Sequence, residues 1–189
     1  MERIGILGGT FDPPHLGHLI IANEVYHELK LNKILFLPAW IPPHKENEKI
    51  TDPYVRLELL KLLTQNIPYF EIDETEINNK GKIKYTYDTI QLLKDKYLGN
   101  ELYFIIGADQ IEKLNSWYKI DQLLEEIKFV GINRKNHSSK SSYNLKHIEI
   151  PTIEISSTLI KNRLKSGKDV KFLIPDNVYE YIKEKMIYG

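Results

Sequence analysis

Residues 8–18 read Gly8-Gly9-Thr10-Phe11-Asp12-Pro13-Pro14-His15-Leu16-Gly17-His18. A short apolar run at residues 4–7 precedes this stretch, and apolar residues at helical spacing follow it. We therefore expect a strand, a glycine turn and then a helix. The first N–H groups of a helix have no partner within the helix, and the helix dipole makes that end positive. The turn is thus predicted to bind an anion, with phosphate as the favoured one.

Two histidines stand in the first turn of the predicted helix. His15 and His18 are three residues apart, so they share one face and can reach the same ligand. Gly17 lies between them and leaves room for backbone or ligand to come close. The plain alternative is a glycine-rich turn followed by two surface histidines. Histidines at this spacing could also ligate zinc, but no third ligand is evident, so we predict no metal site made by the protein.

The whole stretch resembles the Gly-x-Phe-Asp-Pro-x-His-x-Gly-His signature of the nucleotidyltransferase superfamily with the HxGH motif. It is most similar to the bacterial nicotinate mononucleotide adenylyltransferase family. The resemblance implies an α/β, Rossmann-like, doubly wound and mainly parallel sheet, with residues 1–189 as a single nucleotidyltransferase domain. It also implies adenylyl transfer from ATP to nicotinate mononucleotide in NAD biosynthesis, which gives deamido-NAD (nicotinate adenine dinucleotide) and pyrophosphate.

A second stretch, residues 155–161, reads Ile-Ser-Ser-Thr-Leu-Ile-Lys and resembles the Ile-Ser-Ser-Thr-x-Ile-Arg signature of the superfamily. Lys161 stands where arginine is usual; it keeps the charge and loses the planar fork that grips phosphate at two points. Arg163 is a weak substitute, since two residues turn a helix by about 200°. The resemblance implies that His15, His18 and Lys161 are catalytic. The implied ATP-binding set is Gly8, Gly9, Thr10, Phe11, His15, His18, Arg134, Ser156, Ser157, Thr158 and Lys161.

The mononucleotide side rests on shorter matches. Residues 42–45, Pro-Pro-His-Lys, follow the second predicted strand; an ordinary polar loop is the alternative, but the family carries this motif at the mononucleotide phosphate. Asp109 could bind a ribose diol or cap a helix, and Trp117 could be a core anchor or a stacking platform. Asp88, in the run at residues 85–89, is expected to cap a helix. The implied mononucleotide-binding set is His44, Lys45, Thr86, Asp109 and Trp117.

Hydrophobic periodicity predicts a regular alternation of strands and helices. Arg56, in the second predicted helix, is expected to form a salt bridge within the domain and to have no role in the site. The stretch at residues 135–144 carries no periodicity and is expected to be a flexible loop. The predicted strands cover residues 3–7, 33–38, 69–73, 101–106, 129–134 and 148–155, and the main helices end near residues 30, 64, 97, 127, 167 and 186.

Composition narrows the class of protein. Lysine plus arginine and aspartate plus glutamate both number 26 in 189 residues, which gives no net charge to support nucleic-acid binding. There is no cysteine, so disulfides, thiolate catalysis and cysteine-bound metal are excluded. No signal peptide or apolar run of about 20 residues is present. We expect a cytoplasmic protein without a membrane span. The sequence does not determine its oligomeric state, and a homo-oligomer is possible.

The expected chemistry explains the choice of residues. The attacking 5′-phosphate is already anionic at neutral pH, so no general base is needed. Positioning and charge stabilisation then account for catalysis, and Mg²⁺ is expected to enter bound to ATP.

A second enzyme hypothesis keeps the fold and changes the acceptor. The acceptor would then be pantetheine phosphate, or a phosphorylated alcohol that receives a cytidylyl group. A third hypothesis is a nucleotide-binding regulator or a synthetase-like RNA-handling fragment. The zero net charge and the lack of a Lys-Met-Ser-Lys-Ser loop oppose the RNA-handling version, and ATP binding without pyrophosphate release would favour the regulator. The sequence does not decide between nicotinate and nicotinamide mononucleotide, although the resemblance implies nicotinate.

Overall fold

The computed structural model describes residues 1–41, 50–83, 85–134, 142–151 and 154–188, with only the backbone at position 134. Strands and helices alternate along most of the chain. The strands are β1 (Arg3–Gly9), β2 (Lys33–Pro38), β3 (Phe70–Ile72), β4 (Glu101–Gly107), β5 (Lys128–Arg134) and β6 (Lys146–Ile150). The helices are α1 (Leu16–Glu28), α2 (Pro53–Thr64), α3 (Thr75–Asn78), α4 (Thr86–Lys96), α5 (Ala108–Lys113), α6 (Ile120–Glu126), α7 (Ser157–Lys165) and α8 (Asp176–Glu184).

The six strands form one sheet in the order β3-β2-β1-β4-β5-β6, and every pair is parallel. This arrangement confirms the predicted doubly wound α/β fold. The chain starts at the centre, moves out through β2 and β3, and then returns to the other side of β1 with β4. The order of the strands therefore reverses between β1 and β4. Ligands of such sheets bind at the carboxyl ends of the strands flanking this reversal.

The four inner strands β1, β2, β4 and β5 send side chains into two hydrophobic cores, one on each face of the sheet, while the edge strands β3 and β6 contribute to the first core only. On β4, for example, Tyr103 and Ile105 join one core, while Phe104 and Ile106 join the other. Burial on both faces is what near-continuous apolar runs in parallel strands predict. Residues from α1, α2, α7 and α8 complete the first core, and residues from α4, α5 and α6 complete the second. The sheet is thus covered by helices on both sides.

Element boundaries differ from prediction at several helix and strand ends. The helix predicted from residue 88 begins at Thr86, so Asp88 lies in its first turn and the prediction that it is the cap is wrong. The sixth strand ends at Ile150, just before Pro151, which has no N–H to continue the pairing. The short helix α3 was not predicted. Of the flexible loop expected at residues 135–144, residues 135–141 lie outside the described part of the chain. No helix in the described ranges is long and apolar enough to cross a membrane.

Candidate active site

The two signature stretches meet at the carboxyl edge of the sheet, where the strand order reverses. Gly8 and Gly9 end β1, and Gly107 ends β4 beside it. Gly8 is exposed there, although the four residues before it are buried. The predicted glycine turn is wrong in one detail, because both glycines belong to the strand and the connection to α1 runs from Thr10 to Pro14. We call these five residues the β1–α1 loop.

Phe11 anchors this loop to the core. Its backbone has a φ of 51°, in the left-handed region that a bulky residue rarely adopts, and its side chain is only 2% exposed. A Cβ atom on Gly9 would lie 3.0 Å from the Phe11 ring, so the glycine makes room for it. The ring also meets the edge of His18, with centroids 4.9 Å apart. Only the backbone of Phe11 is therefore available to a nucleotide.

The two histidines form one stacked unit at the start of α1. Their ring centroids are 3.8 Å apart with planes 26° from parallel, and the His15 N–H donates to Nδ1 of His18 over 3.1 Å. Because Nδ1 of His18 accepts this bond, its neutral ring carries the proton on Nε2 and can donate it to a ligand. Gly17 permits the stack, since a Cβ there would lie 3.0 Å from the His15 ring.

Burial makes both imidazoles poor cations. It lowers the pKa of His15 to about 4. It also holds the pKa of His18 well below its usual range, with the nearby His15 acting in the same direction. At neutral pH the pair therefore offers hydrogen-bond donors rather than fixed positive charge. Nδ1 of His15 is buried and has no partner among the residues that the structure describes.

Helix α7 brings the second signature against the β1–α1 loop. The Ser156 hydroxyl caps the helix by accepting the N–H of Leu159 over 3.1 Å. The Ser157 hydroxyl donates to the carbonyl of Pro13 over 2.8 Å. Lys161 places its ammonium 3.0 Å from Oδ2 of Asp12. Stretches about 145 residues apart in sequence are thus joined by two direct contacts.

Asp12 is the buried hub of these contacts. It is 3% exposed and accepts hydrogen bonds from Lys161 on Oδ2 and from the Tyr188 hydroxyl, 2.6 Å away, on Oδ1. Burial alone would raise the pKa of Asp12, but hydrogen bonds from Tyr188, Thr51 and Lys161 outweigh it and hold the pKa below its ordinary value of 3.8. Asp12 is therefore ionised whenever the site is at neutral pH.

Arg56 fixes the backbone around the site, and it forms no salt bridge with any carboxylate in the described part of the chain, so the predicted salt bridge is not found there. Its side chain is fully buried and donates to four carbonyl oxygens. Three of these belong to residues in loops that flank the carboxyl edge of β1 and β2, and the fourth to the residue before the cap of α2. The acceptors are the carbonyls of Thr10 at 2.6 Å, Ala39 at 2.8 Å, Trp40 at 2.6 Å and Thr51 at 2.9 Å.

The remaining predicted ATP ligands are spread along the same edge. Thr10 belongs to the β1–α1 loop, and Thr158 is exposed in the first turn of α7. Arg134 ends β5 at the carboxyl edge of the sheet, but its side chain lies outside the described atoms. Arg163 turns away from the site, because its guanidinium donates to the carbonyl of Asp169 over 3.2 Å.

On the mononucleotide side, His44 and Lys45 lie outside the described residues. Thr86 is the first residue of α4, next to Tyr85, whose ring stacks on Tyr118 with centroids 4.5 Å apart. This stack brings Thr86 to the segment that carries Trp117. The Trp117 ring packs edge-on against Phe104 and Phe129, with centroids 6.1 Å away in both cases.

Asp109 is exposed near the start of α5, which follows β4 at the strand reversal. Gly107 occupies the capping position of this helix, so the capping alternative for Asp109 is wrong. The carboxylate stands at the edge where a ribose would lie, with its side chain open to solvent. In the described ranges no three histidine or acidic side chains lie close enough together to hold a metal ion.

Sequence reasoning missed three residues that organise the site: Asp12, Arg56 and Tyr188. Asp12 belongs to the signature stretch, but its hydrogen-bond partners lie as far as 176 residues away along the sequence. Arg56 carried a usable signal, because a single arginine stands among the leucines of α2 and a buried guanidinium must find acceptors. Tyr188 carried no signal that distinguishes it from the other tyrosines near the end of the chain.

Comparison with known proteins identifies the family to which this chain is similar. The model of the cytidylyltransferase-like family matches residues 6–163. The nicotinate-nucleotide adenylyltransferase of Bacillus subtilis is 48% identical over 188 residues, which covers 100% of this chain and 99% of that protein.

Solved structures of Plasmodium falciparum nicotinic acid mononucleotide adenylyltransferase share the fold. The structure complexed with NaAD has a TM-score of 0.80 at 20% identity, and the structure complexed with APC has a TM-score of 0.79 at 19% identity. In both cases the match covers 100% of this chain and 98% of the other. At such low identity the likeness concerns the fold alone.

Proposed function

The chain belongs to the cytidylyltransferase-like family, among the nicotinate-nucleotide adenylyltransferases, and we propose that the β1–α1 loop and the start of α7 form its ATP site. The reaction is adenylyl transfer from ATP to nicotinate mononucleotide in NAD biosynthesis, which gives deamido-NAD and pyrophosphate. The observation that carries the proposed site is the pair of contacts from Ser157 to Pro13 and from Lys161 to Asp12. These contacts put the amino end of α7 beside the stacked histidines.

In this proposal the chain positions two anions for an in-line displacement. An oxygen of the mononucleotide 5′-phosphate attacks the α-phosphorus of ATP, and the bond to pyrophosphate breaks, with its electron pair leaving on pyrophosphate. His18 donates from Nε2, and the first N–H groups of α7 and the Lys161 ammonium face the developing charge. Such fixed donors act without reorganisation at the moment of reaction. His15 supports His18 through the stacked rings and the bond from its backbone N–H.

ATP is proposed to enter as its Mg²⁺ complex. Both oxygens of Asp12, the buried carboxylate nearest the site, already accept bonds from Lys161 and Tyr188. The phosphates and water would therefore hold the ion, as is usual for Mg²⁺ in nucleotide sites. When bound, it would withdraw charge from the triphosphate.

The mononucleotide is proposed to lie on the other side of the strand reversal. Thr86, Asp109 and Trp117 line the ends of β4 and α4 there, and His44 with Lys45 would meet the 5′-phosphate. We further propose that residues 1–189 act as one nucleotidyltransferase domain, since Asn177 at the start of α8 donates to the carbonyl of Leu62 in α2 over 2.6 Å. The absence of cysteine fits the proposed cytoplasmic location.

The test is turnover by the purified protein with MgATP and a panel of acceptors. Nicotinate mononucleotide, nicotinamide mononucleotide and pantetheine phosphate are compared by pyrophosphate release and by chromatography of the product. We expect nicotinate mononucleotide to give the highest kcat/KM. His18→Ala should lower kcat by a factor of about 10²–10³ while the protein stays folded, as for the loss of one oxyanion donor.

His27→Ala, in the last turn of the same helix, is the matched control and should stay within twofold of wild type. A His18→Ala protein as active as the wild type would contradict the proposed site. Turnover of pantetheine phosphate without turnover of nicotinate mononucleotide would contradict the acceptor.

A further inference from the structure

The turn that follows α8 reaches back to the candidate active site. Two hydrogen bonds fix this turn, from the Met186 N–H to the carbonyl of Lys183 and from the Ile187 N–H to the carbonyl of Ile182. Ile187 and Tyr188 rest half-buried on the first core. The backbone at Tyr188 has a φ of 68°, an uncommon value for a tyrosine. The turn thereby aims the phenol at the β1–α1 loop.

The phenol holds one oxygen of Asp12 and leaves the other to Lys161. The Tyr188 hydroxyl donates to Oδ1 over 2.6 Å, and the Lys161 ammonium donates to Oδ2 over 3.0 Å. The N–H of Thr51 lies 3.5 Å from Oδ2, at the outer limit of a hydrogen bond. Each carboxylate oxygen thus has its own strong partner, and the plane of the carboxylate is set from two sides.

A lysine at this position needs such a fixed partner more than an arginine would. Its ammonium is a point charge on a flexible four-carbon stem, without the planar fork that aligns a guanidinium. The Lys161 side chain is still 25% exposed, while that of Asp12 is 4% exposed. The place of the ammonium is therefore decided by where Oδ2 points, and Tyr188 is the strongest restraint on that direction among the described contacts.

We propose that Tyr188 is a positioning residue that acts through Asp12 to fix the Lys161 ammonium where the phosphates of ATP bind. This inference rests on the proposed ATP site and extends it to a residue from the opposite end of the chain. Tyr188 does not touch the reacting atoms in this scheme. Its whole effect passes through the carboxylate to the lysine.

Tyr188→Phe tests the first step, because it removes the hydroxyl and keeps the ring that packs on the core. We expect kcat for adenylyl transfer to fall about tenfold, the loss of a well-formed hydrogen bond to a charged group, with KM for nicotinate mononucleotide within twofold of wild type. Tyr181→Phe on α8 is the matched control, since its hydroxyl has no hydrogen-bond partner among the described residues. It should match the wild type in kcat, KM and thermal midpoint.

A double-mutant cycle tests whether the effect passes through the lysine. Lys161→Met removes the ammonium and keeps most of the stem. In that background Tyr188→Phe should cause no further loss of kcat. An equal loss in both backgrounds would mean that Tyr188 only supports the fold, and would overturn the proposal, as would a Tyr188→Phe protein with wild-type kcat.

MgATP affinity, measured by calorimetry on the same four proteins, repeats the cycle without turnover. Tyr188→Phe should weaken binding at least about threefold when Lys161 is present and leave it unchanged in Lys161→Met. A wild type that binds MgATP but transfers no adenylyl group would count against the proposed function alone. Equal weakening in both backgrounds would count against Tyr188 alone.

Discussion

At the scale of single residues, the site is held by groups whose partners are remote in sequence. The HxGH stretch could be recognised because its residues are neighbours along the chain and their spacing already predicts a shared helix face. Asp12 lies within that stretch, yet its partners at positions 161 and 188 come from other elements. Spacing along the sequence carries no information about such contacts. The pairing of the two histidines was therefore predictable, while the network that holds the loop around them was not.

Arg56 shows how much a single buried guanidinium contributes to the stability of the fold. Four carbonyl oxygens from the connections that follow β1 and β2 accept its N–H groups, and no lysine could reach all of them from one nitrogen. Arg56→Lys should lower the free energy of unfolding by about 3 kcal/mol, because at least two of these carbonyls lose a charged donor. Urea denaturation followed by circular dichroism would measure the change.

Arg163→Lys provides the matched control, since Arg163 makes one hydrogen bond near the surface. It should change the free energy of unfolding by less than about 0.5 kcal/mol. Equal effects of the two substitutions would contradict the role assigned to the buried guanidinium.

At the scale of elements, long periodic segments were predicted well and their ends less so. β4 is an apolar run typical of a central strand and β5 was predicted as a further strand, and the positions of both are confirmed within one residue. The predicted start of α4 is wrong by two residues: Asp88 is a residue type typical of a helix N-cap, but the chain is already helical from Thr86. α3 is a single turn and has no periodicity to detect. Local capping patterns therefore define helix ends less reliably than burial defines helix interiors.

The start of α7 carries both a helix cap and part of the proposed ATP site. Ser156→Ala removes the hydroxyl that accepts the N–H of Leu159, so we expect the free energy of unfolding to fall by about 1 kcal/mol. Thr158→Ala, two residues on and exposed, should change it by less than about 0.5 kcal/mol. Thermal and urea denaturation of both variants would check the difference. If Thr158→Ala cost as much as Ser156→Ala, the cap would not be the cause.

At the scale of the whole molecule, strand order decides where the site lies. Hydrophobic periodicity predicts an alternation of strands and helices, but only the sheet shows that β4 returns beside β1. That return puts the end of β4 next to the glycines of β1, and it creates the crevice between them. Long-range pairing of this kind follows from packing all six strands at once. It could be expected from the family resemblance, and hydrophobic patterning alone did not predict it.

Burial of His15 and His18 also makes the free energy of unfolding depend on pH. The unfolded chain protonates an imidazole near pH 6.5, whereas burial lowers the pKa of His15 to about 4 in the folded protein. Between these values the unfolded state binds more protons, so the free energy of unfolding falls as pH falls. The loss from His15 alone is on the order of 3 kcal/mol, and His18 adds in the same direction. The stabilisation from Asp12, whose pKa is lowered, is lost only below its ordinary value of 3.8.

Urea denaturation from about pH 7 to about pH 4.5 would measure this slope in the wild type, in His15→Gln and in His27→Gln. His15→Gln cannot take up a proton at this position, so its free energy of unfolding should change less across the range than that of the wild type. His27 is exposed on α1, and its replacement should leave the wild-type slope intact. A His15→Gln protein with the full wild-type slope would show that the buried imidazole stack is not the source of the acid sensitivity.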